Sequence, residues 1–455
     1  MPATNFACGT GDDVLSCCVD DRPGDGVFRV HSRVYTDPDL FDLEQEYIFG
    51  KTWAFLGHES QLSKPGDFLS ARIGAKEVLV IRNAHGKVNA FLNSCRHKGA
   101  QLTRTETGNS KYVVCRYHGW AYDRDGKNIN VKDREAGGYA AAFDGDDKNL
   151  VPLARTDAYK GLIFGALDAR VPPLEEFLGE LRVFLDLAMD QSAAGMELLP
   201  GRVAFRYRGN WKLQLENGTD FYHLTSTHAG FMDIMAERRQ GKGNQDARQF
   251  DWSKRLTQQG GTFQFRYGHA AVWLDQAEPE KRPIYPSIDA IARRVGELRA
   301  EWMLKVRGVS VFPNMQIADG ASLTLRVFRP LAVDLTEVRY YCLAPIGEAA
   351  QLRAWRLRQF EDFFNVSGMA TPDDAVLYED CQRGFATQSQ WLQGCARGVA
   401  AHKPGGNRHS ESLRFTPLGN VEGPFDMQNE TTLHPPYREW LRLLTAGLEG
   451  RGAYE

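Results

Sequence analysis

The chain predicts an α+β protein in which a small all-β unit precedes a larger part made of strands grouped beside long helices. Three observations carry this. Residues 46–165 hold short strand-like runs broken by Gly and Asn turns, with two Cys/His-bearing turns at their tips. Residues 166–455 alternate paired strand-like runs with stretches of helical length and amphipathic spacing. Two prolines in Val171-Pro-Pro173 mark the change between them. Residues 1–45 are expected as a leader and first helix.

In order along the chain, residues 1–30 are rich in Gly, Asp and Cys without periodicity and are expected to be loosely ordered. Tyr35-Thr-Asp-Pro opens a helix, with Leu40, Phe41, Leu43 and Tyr47-Ile-Phe49 at helical spacing. Glu77–Arg82 and Val88–Leu92 read as strands. In the larger part, Arg202–Tyr207 is a strand leading into a helix over Trp211–His223. Ser287 is expected to cap one long helix with Ile288, Ile291, Val295, Leu298 and Trp302 on a single face. Leu323–Phe328 and Val338–Leu343 read as neighbouring antiparallel strands, and Leu352, Trp355, Phe360 and Phe363 mark a further helix. The polar stretch Arg238–Gly261 reads as a surface loop or a mobile entrance.

At 455 residues, 42% hydrophobic and 25% charged, the composition is that of a soluble globular protein with a large core. A net charge of −3 offers nothing to nucleic acid or an anionic membrane. The opening Met1–Cys8 lacks a basic region followed by an apolar one, and no run approaches the roughly 18 apolar residues of a membrane helix. A cytoplasmic protein is expected. Of eight cysteines, six share no spacing and read as free thiols.

The other two cysteines are distinctive. Cys95-Arg-His97 and Cys115-Arg-Tyr-His118 stand seventeen residues apart. Two thiolates and two imidazoles from two tight turns suit a [2Fe–2S] cluster of the Rieske kind, with the cysteines on one iron and the histidines on the other. Neutral imidazoles lower the negative charge on the cluster and raise its potential to roughly −150 to +300 mV. A closed zinc site uses the same ligands, but it typically begins with a close Cys pair and ends in paired histidines. Gly99 and Gly119-Trp120 add room for close backbone approach and an apolar cover.

A one-electron donor needs an acceptor. Glu216-Asn-Gly-Thr-Asp-Phe-Tyr-His223 continues to His228, placing two histidines five residues apart. On a regular helix they would lie about 140° apart, so the helix must loosen or end between them. Two histidines and one carboxylate with open positions describe a non-haem Fe(II) site. Two nearby histidines can also be ordinary surface or core residues. The residues alone do not choose the carboxylate. Thr371-Pro-Asp-Asp374 is the leading candidate, and it doubles as a helix start with Thr371 as N-cap.

These residues resemble the large (α) subunits of Rieske non-haem iron ring-hydroxylating dioxygenases over roughly Tyr35–Phe385. The matching pieces are Tyr35-Thr-Asp-Pro, Gly57-His-Glu-Ser60, both Cys/His turns, Asn210-Trp-Lys-Leu213 and the Glu216–His228 stretch. Arg326-Val-Phe-Arg-Pro330 and the run from Glu361 to Asp374 look most like the benzoate, toluate and anthranilate branch. The resemblance implies a β-rich Rieske domain beside a helix-grip-like catalytic domain. It implies cluster binding by Cys95, His97, Cys115 and His118, and iron binding by His223, His228 and Asp374, with Asp374 preferred to Asp373. Asn217 and Asp220 would be catalytic, Asp220 linking an iron histidine to a cluster histidine of the next subunit.

The implied activity is cis-dihydroxylation of an aromatic carboxylate with O₂, using NAD(P)H electrons passed through a flavin and iron–sulfur reductase. A small β subunit and a head-to-tail α ring, commonly a trimer and here α3β3, are implied as well. Departures fall in residues 1–30, in Gln316-Ile-Ala-Asp-Gly320, and after Pro404, including Asn420–Asp426. The competing readings are a monooxygenase or O-demethylase acting on an aromatic acid, a Rieske electron carrier with an inert appended domain, and a binding module without iron.

Overall fold

The computed structural model describes residues 14–241, 258–320, 322–424 and 429–454, and the chain falls into two compact units. One is Phe49–Leu174. In the other, residues up to Ile48 fold with those from Glu175 onward.

The smaller unit is built from three antiparallel sheets. Val88–Leu92, Lys76–Arg82, Asp67–Ile73 and Thr107–Asn109 form the largest, in that order. Val78–Ile81 is an unbroken apolar run buried on both faces, so this strand reads as continuous rather than alternating. Each such fully buried side chain stabilises the unit by about 1.5–3 kcal/mol. Phe68, Leu79, Phe91, Leu102, Trp120 and Tyr122 close around Cys95 and Cys115 in one core cluster.

The larger unit carries an antiparallel ten-stranded sheet. Four consecutive strands matter most: β1 (Val306–Val311), β2 (Met315–Asp319), β3 (Leu323–Ala332) and β4 (Leu335–Pro345). The expected antiparallel neighbours are β3 and β4, with Leu325 opposite Tyr341. Five helices frame the site: α1 (Trp211–Asn217), α2 (Leu224–Thr227), α3 (Ala229–Arg239), α4 (Ala350–Phe364) and α5 (Thr371–Thr387). Asn210 caps α1 by accepting from the Lys212 N–H at 3.1 Å. Beneath α1, buried Glu44 accepts from the Lys212 ammonium and, at 2.7 Å each, from the indoles of Trp211 and Trp440.

Several expectations are corrected. Residues 14–30 are not loose: Val19–Arg22 and Val27–His31 form a hairpin that also pairs with Trp391–Leu392, and Phe28 stacks on His434. Residues 1–13 lie outside the described residues. The helix after Trp211 stops at Asn217, and His223 belongs to a turn before α2. The long helix after Ser287 is two helices, Ile288–Val295 and Glu297–Leu304, because Gly296 takes φ +90° between them. Ser287 makes no side-chain cap and Leu298 is exposed. At α5, Ala370 rather than Thr371 is the N-cap residue, and Thr371 Oγ1 instead donates to Phe364 O at 3.1 Å, tying α5 to α4. The Arg238–Gly261 stretch begins in α3 and ends in the strand Gln259–Gln264, and its middle, 242–257, lies outside the described residues. The same holds for Phe425 and Asp426 of the unfamiliar C-terminal segment, whose Gly419–Pro424 is a strand of the large sheet. Among the described residues no helix is long and apolar enough to cross a membrane.

Candidate metal centres

The two Cys/His turns share one hydrogen-bond pattern. Cys95 N donates to Ala100 O and Gly99 N to Cys95 O, while Cys115 N donates to Trp120 O and Gly119 N to Cys115 O, all at 2.8–2.9 Å. Each turn therefore needs a left-handed residue at its fifth position, supplied by Gly99 (φ +71°) and Gly119 (φ +72°). The thiols point inward and are buried, while His97 is exposed and His118 half-buried. The imidazoles stand 4.5 Å apart by ring centroid, and His97 stacks on Trp120. Tyr122 Oη lies 3.2 Å from Cys95 Sγ and accepts from Arg96 N.

This donor set fits a cluster on its own chemistry. Burial pushes the Cys95 thiol up, so a bound cation would be what stabilises its thiolate. His118 Nδ1 is buried without a hydrogen-bond partner among the described residues, as a nitrogen reserved for a metal would be.

The second constellation comes from three segments. His223 sits in the turn after α1, His228 at the junction of α2 and α3, and Asp374 in the first turn of α5. Their three ligand atoms lie within 4.8 Å of one another. His223 Nε2 is 3.6 Å and His228 Nε2 3.3 Å from Asp374 Oδ1. Each outer nitrogen meets a different acid: His223 Nδ1 faces Asp220 Oδ2 at 3.2 Å, and His228 Nδ1 faces Asp373 Oδ2 at 3.4 Å. Of the neighbouring acids at the start of α5, Asp374 thus turns inward and Asp373 orients a histidine from behind. Asn217 Nδ2 donates to Asp374 Oδ1 at 3.1 Å and stands 3.3 Å from His223 Nε2.

The electrostatics follow from burial and partners. Burial alone would push the Asp374 carboxyl up, but the hydrogen bond from His228 and the positive charge of both imidazoles hold it below the usual carboxylate range. For His223, burial disfavours the charged form, and Asp220 outweighs it to raise the pKa. Glu216 is pushed up to about 7 by burial, against the hydrogen bonds donated by Tyr35 and Tyr437.

A cleft of about 520 Å³, its open mouth included, borders these side chains, with Phe363, Phe364, Leu224, Val306 and Ala318 among its apolar lining. The segment Gln316–Gly320, unfamiliar in sequence, lies beside this cleft. Ala318 and Gly320 line the cleft, while Asp319 binds both Arg282 and Arg307 in a buried ion cluster. Gln316 Nε2 donates to Gln214 O and Leu215 O, pinning α1 to the sheet.

The sequence pattern of the Rieske [2Fe-2S] domain matches residues 52–143, and that of the ring-hydroxylating α subunit catalytic domain matches 195–446. The chain belongs to the ring-hydroxylating α-subunit family. It is 39% identical to toluate 1,2-dioxygenase subunit alpha of Pseudomonas putida, over 93% of this chain and 89% of that one. It is 37% identical to the anthranilate 1,2-dioxygenase large subunit of Acinetobacter baylyi, over 98% and 96%. Naphthalene 1,2-dioxygenase from Rhodococcus sp. bound to indole superposes with a TM-score of 0.77 at 26% identity, covering 92% of this chain and 94% of that one.

The protein is therefore a Rieske non-haem iron oxygenase with a [2Fe–2S] cluster and a mononuclear iron. A zinc-only reading, an electron carrier and an inert binding module fall away. One charged side chain of the cleft was not singled out in the sequence. Arg326 lines the cleft from β3, and only the strand register reveals which way it faces.

Proposed function

We propose that this chain is the α subunit of a multicomponent terminal oxygenase that cis-dihydroxylates a benzoate-like aromatic carboxylate. One observation carries the proposal: Nε2 of both His223 and His228 converges on Asp374 while each Nδ1 is backed by its own acid. In this reading His223, His228 and Asp374 hold the iron, and Cys95, His97, Cys115 and His118 hold the cluster. Bound, the two groups supply O₂ activation and single electrons respectively.

The chain's own residues do the rest. Asp220 and Asp373 accept from the Nδ1–H groups, so that each imidazole presents a neutral Nε2. Asn217 orients Asp374 by donating to it. Phe363, Phe364, Leu224 and Val306 hold the ring and exclude water. Gly308 leaves space where a Cβ would stand 2.6 Å from Gly218 O. Overall, the substrate takes up O₂, two electrons and two protons and leaves as a cis-diol.

Asp220 has a further role in the proposal. One oxygen accepts from Tyr222 N and the other faces His223, yet the side chain stays 24% exposed. That open edge suits an imidazole of a neighbouring copy's cluster, in a head-to-tail α trimer with small β subunits. NAD(P)H electrons would enter through a flavin and iron–sulfur reductase, in the cytoplasm. The relatives' names support a subunit role, since they are a subunit alpha and a large subunit.

The test is product analysis under ¹⁸O₂ with benzoate, anthranilate, salicylate and toluates. Two labelled oxygens in a cis-diol are expected. A single label would move the enzyme to the monooxygenases, and no product from any acid would refute the substrate class.

A further inference from the structure

Arg326 is a buried cation that makes no ion pair among the described residues, although its charge is felt by Asp374. In the β2–β3 ladder Gln316 pairs with Arg326 and Ala318 with Thr324, so Arg326 and Thr324 share the sheet face on which Ala318 lines the cleft. The residue is only 6% exposed, and its guanidinium lies over the rings of Tyr340 and Phe364, 4.9 Å from each centroid. Among the described residues its one hydrogen bond is long, from Nη1 to Asn217 Oδ1 at 3.4 Å, and its buried Nε has no partner. Thr324 Oγ1, two residues back on the same face, is likewise buried and unbonded.

The other deeply buried arginines near the sheet differ. Arg282 and Arg307 share Asp319, and Arg356 forms a bridge with Glu348. Among the described residues no carboxylate forms an ion pair with Arg326. An unpaired guanidinium in such a place is costly unless an anion completes it. Its planar fork matches a carboxylate in two-point fashion.

We propose that Arg326 is the specificity-determining anchor for the substrate carboxylate, an inference that rests on the aromatic-acid reading above. Tyr340 and Phe364 hold the guanidinium plane and leave Nε free to donate to the incoming acid. Arg326 reaches Asn217, and Asn217 reaches Asp374 Oδ1 at 3.1 Å. An acid bonded at Arg326 therefore lies one side chain away from the proposed iron ligands. A bound aromatic acid would thus stand beside the side chains that would hold the iron.

The experiment is an anaerobic binding titration of the iron- and cluster-replete protein with benzoate and with its neutral isostere benzamide. Wild type, Arg326→Gln and Arg326→Lys are compared, with iron content measured on each. The benzoate-to-benzamide affinity ratio is expected to fall roughly 100-fold in Arg326→Gln, with part of it recovered in Arg326→Lys, whose point charge lacks the fork. An unchanged ratio would overturn the anchor. So would equal losses for both ligands accompanied by lost iron, which would make Arg326 a support for Asn217. Wild-type protein that binds toluene but no benzoate would sink the aromatic-acid reading itself, whereas benzoate binding indifferent to Arg326 sinks only the anchor.

Discussion

The two donor sets of this chain are assembled over very different sequence distances. Cys95–His97 and Cys115–His118 come from two turns of one small β unit, each closed by its own pair of backbone hydrogen bonds and a left-handed glycine. His223, His228 and Asp374 come from a turn, a helix junction and a helix start some 150 residues on, the difference between 374 and 223 being 151. The first set presents its histidines outward, as suits passing electrons on. The second keeps His228 and Asp374 buried beside an apolar cleft, as suits sheltering a reaction. A locally closed site tolerates changes elsewhere in the fold, whereas a site gathered from distant segments depends on the elements that hold them.

The sharpest way to break that contrast is to delete one donor from each set. Cys115→Ser should abolish the visible cluster spectrum and cut iron from about three to about one per chain. Asp374→Ala should leave the spectrum intact, cut iron to about two and abolish product formation. Metal analysis and absorbance on the same samples check both.

Next in size is the buried support of α1. Glu44→Gln removes the ion-pair partner of the Lys212 ammonium in a site where both are fully buried. A cost of about 3–5 kcal/mol is expected, read as a lower melting temperature of the larger unit with the cluster absorbance persisting beyond it. Equal early loss of both would weaken the contrast.

A pH dependence sharpens it further. Glu216 rises from an ordinary 4.5 to about 7 in the folded chain. The folded state thus holds a proton that the unfolded state releases, so this stabilisation is complete below about pH 4.5 and is lost as pH rises through about 7. Wild type should lose up to roughly 3 kcal/mol over that window in denaturant titrations, and Glu216→Gln should show a shallower slope. Glu430, also pushed up to about 7 by burial, leaves a residual slope in the variant. The smallest effect is at Asp373, which faces the outer nitrogen of His228. Asp373→Asn should weaken iron retention about 10- to 100-fold in a chelator competition while leaving the cluster untouched.

The same contrast governs what the sequence revealed. Both Cys/His turns were legible because their geometry is local, and spacing and glycines carry it. His223 and His228 were visible as a pair, but the acid that faces them depends on how α5 lies against α3. The residues alone left Asp373 and Asp374 equivalent. The α5 start looked like a Thr371 cap because Thr-Pro-Asp is good cap chemistry, yet tertiary packing drew that hydroxyl to Phe364 O. Residues 14–30 looked loose because they show no periodicity, yet they hold a hairpin whose second strand is extended by Trp391–Leu392, more than 350 positions away. Arg326 belonged to a recognisable phrase, but the role proposed for it rests on strand register and on the lack of an ion pair among the described residues, neither of which composition or spacing records.

The most direct measurement is a single turnover without reductase. Protein with filled cluster and iron is reduced, freed of reductant, and given benzoate and O₂ while cluster absorbance and product are followed together. Cluster reoxidation and cis-diol formation should rise together in wild type, with no product from Asp374→Ala. Reoxidation without diol in wild type, or diol from Asp374→Ala, would contradict an electron-delivering turn pair serving a separate iron site.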